Sequence, residues 1–410
     1  MKKIKGVNLG NWLVLEKWML PEMFEGTGAE DEVWLNRKMN PAELKEKMKE
    51  HRDTFITEKD FAFIKEQGIW LLRIPVPYFI FGDRPPFNGC VEYLDKAFDW
   101  AEKYGLQILI DLHTVPGSQN GYDNGGLTGV CKWCKNPDEV EFALTVLEQL
   151  SKRYGQREGL YGIEILNEPI SFLVYATAPS TGKAVDKEEA KGSGYVPLPF
   201  LENFYRNAYK RLRQILPESK IIVFHDGFRL RHWRKFFRKE NMKNVVLDTH
   251  IYIFAMESFV PLHMPWVYQI YIKSQERLIK RIQKDVPVVV GEWCICNKYA
   301  EKAVPGKAAS EMKPEAAAAK EKQEKNTSEM KLAEDTSARS AKVIEREELR
   351  KKRYLEIASM QLQAWESGAG WIYWSYQFKP NRKEPLDEKW KESWDFSRCV
   401  ENGWIEFKNR

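Results

Sequence analysis

Short, almost unbroken apolar runs alternate along this chain with longer segments in which apolar residues recur every three to four positions. The runs fall at residues 4–9, 69–75, 107–112, 162–167, 221–224, 245–250, 286–291 and 371–376. The one-sided segments fall at 58–67, 91–104, 138–154, 201–216, 268–283 and 349–366. A strand buried on both faces reads as a continuous apolar run, and a helix lying on a sheet reads as a stripe. Eight runs separated by helices predict an α/β fold, a (β/α)8 barrel of parallel strands that takes the whole chain, 1–410, as one domain. A doubly wound sheet would need a glycine-rich phosphate loop after its first strand. Gly6-Val7-Asn8-Leu9-Gly10-Asn11 lacks the third glycine and the helix behind it.

Two segments break the alternation. Residues 176–199 are rich in Gly, Ser, Pro and Lys and read as a loop inserted after the fourth strand. Residues 298–340 are dense in Lys, Glu and Ala, including Ala316-Ala317-Ala318-Ala319, and hold hardly any large apolar side chain. Such a stretch has no face to bury, so a mobile or solvated helical insertion is expected after strand seven. Both insertions leave from strand ends, on the barrel face where active sites form.

Composition adds one positive signal and several exclusions. Aromatic residues make up 13% of the chain, with 15 Trp, more flat apolar rings than a core requires and a common means of holding sugars. The net charge of +5 is slight for 410 residues and argues against a nucleic-acid partner. The six cysteines, Cys90, Cys131, Cys134, Cys294, Cys296 and Cys399, are too scattered for a disulfide framework. No run has the length of a membrane span. The basic N-terminus has no apolar stretch behind it, so a cytoplasmic location is expected, or a secreted one if a signal was removed.

The candidate chemistry sits where the apolar runs end. Gly162-Ile163-Glu164-Ile165-Leu166-Asn167-Glu168-Pro169 and Val288-Val289-Val290-Gly291-Glu292-Trp293 each place a glutamate where a strand leaves the barrel. A carboxylate is costly there unless it has a task. Two carboxyls of different protonation are what glycoside hydrolysis needs, one to protonate the leaving oxygen and one to act as nucleophile or base. Arg73, His113, His250 and Tyr252 lie at other strand ends, where a shared site explains them better than separate structural roles do.

Four motifs carry a resemblance: Gly6-Val7-Asn8-Leu9-Gly10-Asn11-Trp12-Leu13-Val14-Leu15-Glu16, Asp111-Leu112-His113-Thr114-Val115-Pro116-Gly117-Ser118-Gln119-Asn120-Gly121, Asn167-Glu168-Pro169 and Gly291-Glu292-Trp293. With them the chain resembles glycoside hydrolase family five, nearest its exo-β-1,3-glucanase branch. The resemblance implies a retaining β-glucosidase in which Glu168 is the acid/base and Glu292 the nucleophile, with no cofactor and no metal. Asn167 would hold the sugar 2-hydroxyl, and Arg73 would orient Glu292. His113, His250 and Tyr252 would complete the inner shell, and Trp374 would be the platform under the terminal glucose. Glu16, Asp123 and Asn124 would grip that glucose and close the pocket behind it. Tyr122 and Phe254 lie where the resemblance implies an aromatic clamp at the entry, with Tyr122 replacing a Phe. The implied substrate is a β-glucoside or gluco-oligosaccharide, and a steryl, lipid or aryl glucoside is the alternative.

Two other readings compete with this one. Cys131, Cys134, Cys294 and Cys296 could supply four thiolates to zinc, but their loops follow strands three and seven, on opposite sides of an eight-stranded barrel. A non-catalytic sugar-binding relative is disfavoured because both glutamates are present.

Overall fold

The computed structural model of the chain describes residues 2–178, 180–302 and 325–407. Eight parallel strands close into a barrel in chain order: β1 (Ile4–Asn8), β2 (Leu71–Val76), β3 (Gln107–Leu112), β4 (Leu160–Glu164), β5 (Ile221–His225), β6 (Val245–His250), β7 (Val288–Glu292) and β8 (Gly370–Tyr373). Ile4 pairs with Gly370 and Val7 with Tyr373, so the two ends of the chain close the ring. The strand-covering helices are α1 (Glu58–Glu66), α2 (Val91–Tyr104), α3 (Pro137–Tyr154), α4 (Leu198–Arg213), α5 (Trp233–Glu240), α6 (Pro265–Ile282), α7 (Lys325–Trp365) and α8 (Phe396–Glu401).

Strand side chains alternate between two apolar clusters, as a period of two requires. Leu72, Ile74, Ile108, Ile110, Ile163, Leu247 and Val290 pack outward under the helices. Leu71, Leu109, Val223, Val246, Val289 and Ile372 form a separate cluster inside the barrel. Two residues further along the same inward rows stand Arg73, Asp111, His225, Asp248, Gly291 and Trp374. The barrel therefore has an apolar floor and a polar rim, and the site is built on that rim. Gly291 is needed for close approach: a Cβ there would lie 1.9 Å from Asp248 Oδ2, whose carboxylate instead accepts the Gly291 N–H at 2.7 Å.

All eight strands lie at the expected runs, with ends that differ by at most three residues. The helices Glu32–Lys38 and Pro41–Phe55, and with them α5 and α8, have no counterpart among the helical segments expected from the apolar spacing. Within 176–199, expected as a loop, Lys187–Ala190 is a short helix capped by Asp186. Glu189 pairs there with Arg37 of the Glu32–Lys38 helix at 2.7 Å. Of the 298–340 insertion, Lys298–Glu301 is helical and α7 begins at Lys325, while the expectation of a mobile cap falls mostly on 303–324, outside the described residues.

Candidate active site

Arg73 on β2 is fully buried and organises the rim. Its Nε donates to Glu164 at 2.7 Å, its Nη1 to Asn8 and to Glu292 Oε1, both at 2.9 Å, and its Nη2 to Asn167 at 2.9 Å. Asp111 lies 3.1 Å from Nη2. Burial works against the guanidinium, yet the charges of Asp111, Glu164 and Glu292 keep it well above its ordinary pKa. The planar fork suits this task, since one group reaches four acceptors in fixed directions. Burial, reinforced by Asp248 and Asp111, pushes the Glu164 carboxyl well above the usual range despite the charge of Arg73.

Glu168 and Glu292 meet at one imidazole. His250 Nδ1 donates to Glu168 Oε1 at 2.8 Å and stands 3.3 Å from Glu292 Oε2. Those two oxygens therefore lie within about 6 Å of each other, below the ~6.5–9.5 Å that an inverting pair needs. Tyr252 donates to Glu292 Oε2 at 2.8 Å, and Asn124 donates to Glu168 Oε2 at 2.8 Å. Glu168 itself takes φ 43°, a left-handed conformation uncommon for such a residue, held by the loop that follows β4. The three groups titrate differently. Burial raises Glu168, but the hydrogen bond and charge of His250, with the Asn124 amide, outweigh it and hold the carboxyl below its ordinary value. Burial raises Glu292, and His250 and Arg73 offset part of the rise. Burial disfavours the His250 imidazolium, yet Glu292, Asp248 and Glu168 drive its pKa well up.

At the other end of the pocket, Glu16 and Asp123 face each other. Burial first and then Asp123 push Glu16 well above its ordinary value, while Trp18, donating at 2.7 Å, opposes the rise. Asp123 is also raised by burial, against backbone N–H bonds and the charge of Lys183. Trp374 stacks on the His113 ring, with centroids 5.6 Å apart and planes 9° apart, and His113 is set by Asp111 at 2.5 Å. At the mouth, Phe254 packs on Tyr252 at 5.4 Å, and the Tyr122 hydroxyl donates to Ala178 O at 3.0 Å. Burial, with the Glu168 charge beside it, pushes Tyr122 up to about 12.

The thirteen residues picked out from the sequence are thus gathered on one face of the barrel. Several others there escaped notice. Asn8 bridges Arg73 to the Gly291 and Tyr373 carbonyls, and Gln119 donates to the His113 and Asn167 carbonyls. Trp394 fills the corner between Tyr252 and Phe254, at 5.0 and 5.3 Å. His225 accepts the Gly227 N–H on Nδ1 and packs edge-on against His250 at 4.3 Å. The inward parity of β1 and β5 was the signal for Asn8 and His225. Among the described residues, the groups close enough to share a metal are Glu168 with His225 and His250, and Glu164 with Asp248 and His250. Glu164, Asp248, Glu168 and His250 belong to the polar cluster above, while His225 meets His250 only through ring packing. The six cysteines are free thiols, and none of them joins such a group.

Residues 35–327 match the family described as Cellulase (glycosyl hydrolase family 5). A probable glucan 1,3-beta-glucosidase A of Emericella nidulans is 31% identical over 385 residues, covering 92% of this chain and 85% of the relative. Its counterpart in Aspergillus fumigatus is 32% identical over 382 residues, covering 91% and 82%. Among solved structures, the rutinosidase of Aspergillus niger superposes with a TM-score of 0.69 over 99% of this chain and 98% of its own, at 22% identity, a likeness of fold.

Proposed function

The chain belongs to glycosyl hydrolase family 5, and from that premise we propose a retaining, exo-acting β-glucosidase that removes terminal glucose from β-1,3-type gluco-oligosaccharides or glucosides. The observation that supports the retaining mechanism is the shared imidazole, which keeps Glu168 and Glu292 closer together than the spacing of an inverting pair. Glu292, oriented by Arg73 and Tyr252, attacks C1 as a carboxylate. The C1–O bond breaks, Glu168 protonates the departing oxygen, and the alcohol leaves. Water then attacks C1, Glu168 takes its proton, and the Glu292 carboxylate departs with β-glucose released.

The proton for the first step is held by His250, in hydrogen bond to Glu168 Oε1. Glu292 is the strongest influence holding it there. As Glu292 gives up its charge to C1, that hold disappears, and the proton passes through Glu168 to the leaving oxygen. The carboxyl pair Glu16 and Asp123, with Trp18 against it, supports a pocket closed behind one glucose, and hence exo action.

The test is the first-formed sugar from a β-1,3-linked glucose disaccharide, followed by NMR. β-Glucose is expected before mutarotation. An α-anomer would sink the retaining mechanism, and a folded protein that turns over neither this disaccharide nor an aryl β-glucoside would be a binding protein instead.

A further inference from the structure

On β4 and β6, three buried side chains each have one polar atom tied and another left over. Glu164 Oε2 accepts from Arg73 Nε at 2.7 Å, while its Oε1 has no hydrogen-bond partner among the described residues. Asp248 Oδ1 accepts the Gly291 N–H at 2.7 Å, and its Oδ2 is left in the same way. His250 Nδ1 donates to Glu168 Oε1 at 2.8 Å, and its Nε2 is left as well. The ligand atoms of this trio all lie within 4.8 Å of one another. Buried polar atoms are rarely left unpaired, so three of them in one place call for a partner common to all.

The spacing is that of ligands on one ion. Asp248 Oδ2 and His250 Nε2 stand 3.5 Å apart, at the outer limit of a hydrogen bond. Two ligands on one tetrahedral zinc, with bonds of about 2.0–2.1 Å, stand about 3.3 Å apart. A metal-binding imidazole usually donates its other N–H to a carboxylate, and here Glu168 is that carboxylate. Arg73 and the Gly291 N–H fix the two acids in the same manner. The charge suits a cation too, since Asp111, Glu164, Asp248 and Glu292 already share the one guanidinium of Arg73. The other trio, Glu168 with His225 and His250, lacks these properties. His225 Nδ1 accepts the Gly227 N–H, so the ring hydrogen sits on Nε2 and no lone pair is free there.

We propose that Glu164, Asp248 and His250 form a binding site for a divalent cation of the zinc class, and that occupation of this site inhibits the acid step. One imidazole and two carboxylates are donors that zinc accepts. The ion takes the Nε2 lone pair, and the proton that His250 would hand to Glu168 is displaced to solvent. The neutral imidazole keeps its Nδ1 hydrogen for Glu168. The site goes beyond the β-glucosidase reading, and only its effect on turnover rests on that reading.

The experiment takes the full chain, reduced and freed of metal by a chelator, and titrates it with Co2+ and then with Zn2+. One Co2+ per chain is expected, with visible d–d absorption, without a sulfur-to-metal charge-transfer band, and displaced by Zn2+. Asp248→Asn and Glu164→Gln are each expected to weaken Zn2+ binding about tenfold or more. In the parent chain, Zn2+ is expected to lower kcat/KM about tenfold more on a β-1,3-linked glucose disaccharide than on a dinitrophenyl β-glucoside, whose leaving group needs no proton. A charge-transfer band assigns the ion to the cysteines and overturns the proposal. Equal inhibition on both substrates overturns it too, because an ion lying across the pocket would block them alike. Failure to load either metal, in protein that turns over the dinitrophenyl β-glucoside, overturns it while the β-glucosidase reading survives. The spectrum and the substrate comparison need only the parent chain, so they decide the matter even where a variant does not fold. Loading with the expected spectrum, in folded protein that turns over neither substrate before zinc is added, supports the site and overturns the β-glucosidase reading.

Discussion

Arg73 touches Glu164, Asn8, Glu292 and Asn167 with three nitrogens, so Glu292 is fixed by a group that is itself fixed from four sides. Glu168 has no such anchor and is held by two single hydrogen bonds, from His250 and Asn124. That asymmetry suits a nucleophile that must hold its place and an acid that must exchange a proton. Glu292→Ala is expected to abolish turnover, by about five orders of magnitude or more, since no covalent intermediate can form. Glu168→Ala is expected to keep much of its rate on a dinitrophenyl β-glucoside and little on an alkyl one. Azide, attacking the glycosyl-enzyme where water lacks its base, should partly restore turnover and give the β-glucosyl azide. Equal losses on the activated and unactivated substrates would count against Glu168 as the acid. At this scale the sequence showed the glutamates, because a charge ending an apolar strand stands out. Asp111, Glu164 and Asp248 lie within β3, β4 and β6 and do not stand out as acids in the sequence, since only their common contact with Arg73 gives them a role.

Among the elements, α7 links the loop after β7 to the C-terminal segment that carries Trp394. Arg350, buried on this helix, donates to Glu301 and to Glu392, both at 3.3 Å, and lies 4.4 Å over the Trp404 ring. Tyr354, one turn on, donates to the same Glu301. Arg350→Ala leaves two partly screened carboxylates unpaired and a gap over Trp404. A loss of about 2 kcal/mol in urea unfolding is expected, at the low end for a broken buried pair because both acids reach solvent. Activity on a small aryl glucoside should change less than about fivefold, since Tyr252 and Glu292 sit on β6 and β7 ends that Arg350 does not touch. An unchanged urea midpoint would show that α7 docks by its apolar face alone. The strands and long helices were legible because each has an unbroken run or a clear stripe. Pro41–Phe55 was not, because its buried face of Leu44, Met48, His51, Arg52 and Phe55 mixes apolar with ionisable residues and so blurs the period. The eight residues of α5, with Trp233, Phe236 and Phe237 buried among arginines and lysines, are too short to establish one.

For the molecule as a whole, the barrel followed from counting runs, but the distance between two glutamates at the ends of the fourth and seventh strands did not, because only ring closure sets it. Charges are buried outside the strand ring as well, and these make stability depend on pH. Glu32, fully buried at the start of its helix, accepts the Leu15 N–H at 3.0 Å and so braces the loop that carries Glu16. Burial raises its pKa to about 7, with Arg52 and the Leu15 bond opposing the rise. Below its ordinary value near 4.5 the carboxyl is protonated both folded and unfolded, and costs nothing. Between there and about 7 the unfolded chain gives up the proton while the folded one keeps it, so stability falls as pH rises and then levels off. A shift of this size corresponds to about 3 kcal/mol. Glu32→Gln retains an acceptor for Leu15 and removes the titration. Its stability, measured by urea unfolding, is expected to match the parent near pH 4 and to exceed it by up to about 3 kcal/mol near pH 8. A difference that stays flat across that range would mean that Glu32 titrates as an exposed carboxyl, and that the loop bearing Glu16 is braced by Asn11, whose side chain accepts the Glu16 N–H, rather than by a buried acid.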